Sequence, residues 1–167
     1  MAEVILILGS NLGDKKQFIA DAQKMISVEL GQIINESMLY KSMAWGMEVK
    51  SDEEAIFFNK VVKVESILKP LEVLDKVQQI ERSLGRTRVN SDYYESRTID
   101  IDILFYDDLI FNNVRLQIPH NQIPFRRFVL IPLAEIVPYK VHPVLKKNIL
   151  TLLEECEDRL EVDALIW

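Results

Sequence analysis

The 167 residues are 49% hydrophobic and 28% charged, the balance of a globular protein able to bury one core, read as a single domain over residues 1–167. A net charge of −6 argues against a general nucleic-acid surface, which needs a basic patch. No apolar run approaches the ~20 residues of a membrane span. The start "MAEVILILGSNLGD" has no basic leader, and the lone Cys156 forms no internal disulfide, so a reducing, cytoplasmic setting is expected.

"EVILILGS" reads as a short buried strand ended by Gly9. "DKKQFIADAQKMISVEL" follows as a helix, with Phe18, Ala22, Met25, Ile26 and Leu30 near helical spacing, Asp14 as N-cap and Gly31 as C-cap. "QIINESMLYKS" is expected to form a second strand, "MAWGMEVKSDEE" a loop, and "AIFFNKVVKVES" a third strand. "PLEVLDKVQQIERSLG" is the clearest helix. Pro70 opens it, Leu71, Leu74, Val77, Ile80 and Leu84 share a face, and Gly85 stops it. After the polar loop "RTRVNSDYYES" comes the strand "RTIDIDILFYDD". The order β-α-β-β-α-β predicts an α+β, ferredoxin-like antiparallel sheet, with both helices on one face and the other left for a site or further elements. Short strands in "LIFNNVRLQIPH", a Pro-bounded "FRRFVLIPLAEI", a helix near residues 147–156 and the tail "EVDALIW" complete the chain.

Asp100 and Asp102 alternate with Ile99, Ile101 and Ile103, so period two puts both carboxylates on one sheet face. Like charges that close repel. An isolated D-x-D is usually a solvated face; the alternative is a Mg²⁺ site, because a hard cation takes carboxylate and phosphate oxygens and offsets the repulsion. Arg97 lies three residues before Asp100, and Arg86 and Arg88 open the preceding loop, a spacing that suits arginines forking onto polyphosphate oxygens. His120 can donate to such an oxygen. Arg126 and Arg127 stand at a helix start, where cations are disfavoured, which points weakly to an anionic partner. Neither a G-x-x-x-x-G-K-[ST] nor a G-x-G-x-x-G run occurs. Spacing alone ends at magnesium-assisted chemistry on a phosphate, and leaves a different two-metal enzyme or a non-catalytic binding module open.

The pieces taken together resemble the 6-hydroxymethyl-7,8-dihydropterin pyrophosphokinase family. The likeness rests on "LGSNLGD", "YKSMAWG", "FFNKVVKVES", "QQIERSLGR", "RTIDIDILFYDD" and "IPHNQIPFRRFVLIPLAEI", from about Leu8 to Ile136. It implies Mg-dependent transfer of pyrophosphate from ATP to the pterin's hydroxymethyl group in folate biosynthesis, yielding AMP. Asp100 and Asp102 match the family's aspartates that hold two Mg²⁺ ions, and Arg86 and Arg97 match its catalytic-loop arginines. Gln78, Glu81, His120 and Arg126 match the ATP side. Ser42, Phe57, Asn59 and Phe128 match the pterin pocket, with Tyr93 and Tyr94 both candidates for a further aromatic contact. ATP and the pterin are the implied partners, with no nucleic acid or membrane; the oligomeric state stays open, a monomer included.

Overall fold

The computed structural model describes residues 1–43, 55–85 and 98–166. The main sheet holds β1 (Ala2–Ser10), β2 (Gly31–Glu36), β3 (Tyr40–Met43), β4 (Ile56–Ser66), β5 (Asp100–Tyr106) and β8 (Val162–Ala164). Its order is β5-β1-β4-β3-β8, with β2 also paired to β4, and every pairing is antiparallel. β6 (Phe111–Asn112) and β7 (Gln117–Ile118) form a small separate hairpin. The helices are α1 (Lys15–Glu29), α2 (Pro70–Ser83), α3 (Arg127–Ile136) and α4 (Ile149–Glu155). The architecture is α+β and ferredoxin-like, with a helix pair and an edge strand added after the split unit.

Alternation along β1 divides the core. Val4, Leu6 and Leu8 face Ile19, Ala22 and Ile26 of α1 and Val73, Val77 and Ile80 of α2. Ile5 and Ile7 face the opposite way, with Phe105, toward Val129, Leu130 and Leu133 of α3 and Ile149 and Leu152 of α4. The second face is thus only partly covered by helices, and its uncovered part carries the site. Ile101 and Ile103 of β5, and Ile99 just before it, point into the helical core, each 3% exposed or less. A register shift sets Leu6 against Ile103 but Ile5 against Phe105, so Leu104 is bulged and joins Phe105 on the second face.

Local sequence accounts for the element ends. The Asp14 carboxylate accepts from Gln17 N–H at 3.2 Å and caps α1. Pro70 occupies the first turn of α2, where its missing N–H costs nothing, and Glu72 reaches back to Lys69 N–H at 3.1 Å.

Three expectations need correction. The stretch 32–42 is two strands: Ser37 interrupts it, its Oγ accepting from Val61 N–H at 3.0 Å and so taking the place of a ladder carbonyl. Gly31 is the first residue of β2, and the C-cap of α1 is Leu30. At φ 149° Gly31 passes so close to β4 that a Cβ would lie 1.9 Å from Glu65 O. The buried stripe of α2 runs Val73, Val77, Ile80 and Glu81, with Leu71, Leu74 and Leu84 at its margins.

His142 fixes the turn before α4. Its Nδ1 accepts from Val144 and Leu145 N–H at 3.2 and 3.1 Å, and its ring meets Phe105 edge-on at 5.8 Å. Burial, then the charge of Lys140, hold its pKa below the ordinary 6.5. The folded chain therefore binds fewer protons than the unfolded one just below that pH. The stability His142 contributes is complete above 6.5 and is lost as pH falls toward its folded value. Urea unfolding between about pH 7.5 and about pH 5 should show this loss, with a shallower slope in His142→Asn; equal slopes would contradict it.

Candidate functional site

The strand registers set polar side chains in a row. Gly9 of β1 lies opposite Asn59 of β4 on one side and Asp100 of β5 on the other, while Asn59 lies opposite Tyr40 of β3. Two residues from this row in one direction Ile7 lies opposite Asp102, and two residues in the other direction Ser42 lies opposite Phe57. Because alternate residues share a face, Asp100, Asp102, Gly9, Ile7, Asn59, Phe57 and Ser42 all border one cavity. Adjacent strands lie ~4.8 Å apart, so the carboxylate and amide rows are about 10 Å apart with Gly9 between them.

The loops and α3 supply the rest of the lining. His120, Arg126, Phe128 and Val129 line the same cavity, together with Leu104 of β5 and Met43 of β3. His120 is anchored by its N–H to Leu104 O at 3.0 Å. Its Nδ1 accepts from Gln122 N–H at 3.2 Å, which assigns its proton to Nε2. Burial, then the charge of Arg126, lower its pKa, with Asp100 opposing them, so the neutral imidazole is favoured. Arg126 is 8% exposed, and its guanidinium lies 5.7 Å from the centre of the Phe128 ring. The neighbouring Arg127 N–H is capped by Asp158 at 3.0 Å, so the chain itself places an acid at the start of α3 and eases the misfit of two cations there.

The walls are tied to each other. Glu135 of α3 accepts from Met38 N–H at 2.9 Å and from the Tyr40 hydroxyl, joining the helix that carries Phe128 to the strand that carries Ser42. Burial, then that hydrogen bond, push the Tyr40 phenol well above its usual range. β8 pairs with the outer edge of β3, from Tyr40 to Ser42. Asn59 is 3% exposed and its Nδ2 donates to Ser42 Oγ at 3.3 Å, leaving Oδ1 above Gly9.

Of the expected residues, Asp100, Asp102, His120, Arg126, Ser42, Phe57, Asn59 and Phe128 meet around this one cavity. Gln78 and Glu81 do not line it. Gln78 is half-buried on α2, and Glu81 is buried with its carboxylate on Ile101 N–H at 3.1 Å. Arg86, Tyr93, Tyr94 and Arg97 lie outside the described residues. Ile7, Gly9, Met43, Leu104 and Val129 line the cavity as well, without having been singled out for it in the sequence. A glycine at a strand's end reads as a stop, and only the register reveals its neighbours.

The donor set fits Mg²⁺. Asp100 and Asp102 offer hard oxygens, and among the described residues no group of three or more His, Cys, Asp or Glu gathers into a closed cage. Mg²⁺ is commonly held by one or two carboxylates plus substrate phosphates and water. Among the described residues no helix is long and apolar enough to cross a membrane.

Comparison with known proteins gives the fold and the family. The solved HPPK-DHPS of Plasmodium falciparum superposes with a TM-score of 0.72 over 92% of this chain, at 18% identity, which establishes the fold. The chain spans 44% of that solved chain. The family model described as 7,8-dihydro-6-hydroxymethylpterin-pyrophosphokinase matches residues 5–138. The 2-amino-4-hydroxy-6-hydroxymethyldihydropteridine pyrophosphokinase of Porphyromonas gingivalis is 40% identical over 86% of this chain and 95% of its own. The protein of that name from Aquifex aeolicus is 37% identical, over 88% of each chain. The chain belongs to the 7,8-dihydro-6-hydroxymethylpterin-pyrophosphokinase family. It is an enzyme, a pyrophosphokinase.

A Cβ on Gly9 would lie 2.9 Å from Asn59 Oδ1, and the amide that carries this oxygen is held through its Nδ2, which donates to Ser42 Oγ. Gly9→Ala is therefore expected to cost roughly 1–3 kcal/mol in urea unfolding. Asn59→Ala removes the obstructing amide, so the double variant should lose clearly less than the two single losses added together. Strict additivity would mean that the two residues do not press on each other.

Proposed function

We propose that this chain transfers pyrophosphate from ATP to the hydroxymethyl group of 6-hydroxymethyl-7,8-dihydropterin in folate biosynthesis, releasing AMP. The observation that carries this reading is the shared face. A carboxylate pair and a buried amide lie two strands apart across Gly9, under one roof of His120, Arg126 and Phe128. A flat bicycle with a one-carbon arm spans such a gap, its ring at Asn59 and its hydroxyl toward the aspartates.

Phe57 and Phe128 supply apolar faces for the ring, and the Asn59 and Ser42 pair supplies hydrogen bonds to its polar edge. At the other end Asp100 and Asp102 would hold two Mg²⁺ ions with the ATP phosphates, and those ions would supply charge neutralisation on the phosphate oxygens. His120 offers Nε2–H and Arg126 a guanidinium to the same oxygens. The pterin oxygen attacks the β-phosphorus as the bond to the α,β-bridging oxygen breaks. AMP leaves with that oxygen, and the hydroxyl proton passes to solvent. A loose phosphoryl-transfer transition state asks little of a general base. Arg86 and Arg97 are assigned to stabilising charge in that step, Gln78 to the ATP side, and Tyr93 or Tyr94 to the pterin. The whole chain acts as one catalytic domain, in the cytoplasm.

Chromatography of nucleotides after mixing protein, ATP, Mg²⁺ and pterin tests this. AMP should form only when pterin is present, and Asp102→Ala should slow it at least ~100-fold. ADP, or AMP made without pterin, would identify another phosphoryl enzyme; ATP binding without turnover would identify a binding module. Phe128→Ala should raise the pterin KM about tenfold, with a smaller change in kcat. A change confined to kcat would remove Phe128 from the pterin pocket.

A further inference from the structure

We infer that Glu81 is a positioning residue, which sets the aspartate pair by holding the open edge of β5 rather than by meeting the nucleotide. This rests on the function proposed above. Glu81 occupies the core-facing stripe of α2, with Val73, Val77 and Ile80, and is 1% exposed. A carboxylate there is costly to desolvate unless it is well bonded. Its Oε2 accepts from Ile101 N–H at 3.1 Å.

That N–H belongs to the residue between Asp100 and Asp102, and it faces outward from the sheet. β5 is the terminal strand in the order, paired among the described residues with β1 alone. An edge strand with one ladder frays more readily than a central one. A slip of one residue would turn both aspartates into the apolar helical face. Glu81 supplies from α2 the acceptor that a second neighbouring strand would have given. Thr98 adds a further tie beside it, its Oγ1 donating to Leu84 O at 3.0 Å, so the end of α2 is stitched to the entry of β5 at two points. A charged acceptor makes the stronger bond to an N–H. Glu81 lies off the cavity that Asp100 and Asp102 border, so its effect on ligands passes through the strand.

The test compares Glu81→Gln, which keeps an acceptor of the same reach, with Glu81→Ala, which removes it. Mn²⁺ binding is followed by electron paramagnetic resonance with α,β-methylene ATP present, and amide hydrogen exchange is followed at Ile101. Glu81→Ala should raise the Mn²⁺ half-saturation about tenfold and speed exchange at Ile101. Glu81→Gln should stay within about threefold of wild type in the metal titration, and affinity for the analogue in EDTA should be unchanged in both. If the alanine variant does not fold, Glu81→Asp, a methylene too short to reach Ile101, should reproduce its effects. Loss of metal-free nucleotide affinity in both variants would overturn the inference, as would unaltered Mn²⁺ binding and Ile101 exchange in the variants lacking the acceptor. A wild-type protein that binds no Mn²⁺ with the analogue would instead count against the proposed function, and Ile101 exchange would still decide the role of Glu81.

Discussion

Antiparallel pairing of β5, β1, β4 and β3 brings Asp100, Gly9, Asn59 and Tyr40 into line, and the other features of the site follow from that register. Strand period two then decides which side chains share the face, so no loop has to deliver the carboxylates or the amide. A shift of one pair in any strand would exchange a polar residue for an apolar one and undo both the core and the site. Gly9 is needed because the central position of the row must hold almost nothing; its missing Cβ leaves Asn59 Oδ1 in place.

The two faces of the sheet divide the work. Val4, Leu6 and Leu8 of β1, Val62 and Val64 of β4 and Ile101 and Ile103 of β5 bury against α1 and α2 in an apolar layer. The second face spends part of its area on buried polar groups that must be satisfied: Asn59 by Ser42, Tyr40 by Glu135, and His120 through Gln122. α3 contributes in two ways. Leu130 and Leu133 pack on the sheet while Arg126 and Phe128, at its start, reach the cavity. The hydrogen bonds that hold Glu135 therefore stabilise the fold and position the wall that carries Phe128 together.

Much of this was legible in the sequence. Asp100 and Asp102 declared their face through Ile99, Ile101 and Ile103, because strict alternation has one structural meaning. The strand and helix order gave the topology, and the cap at Asp14 and start at Pro70 were readable from side-chain chemistry. What escaped depends on three-dimensional neighbours. Ser37 breaks a continuous apolar pattern by offering its hydroxyl to β4, and no local propensity signals that. In the stripe of α2, Val77, Ile80, Leu74 and Leu84 meet the core as their spacing implies, while Val73 and Glu81 are buried there by position and Leu71 stands at the margin. Gly9 reads as punctuation until β4 and β5 are set beside it.

The pairing makes a direct claim about where each substrate lies, and a crystal structure with Mg²⁺, a non-hydrolysable ATP analogue and the pterin would test it. Metal ions should bridge the analogue to Asp100 and Asp102, with the pterin ring between Phe57 and Phe128 and its polar edge on Asn59. Metal held by other carboxylates, or a pterin bound away from the β1–β4 row, would contradict it.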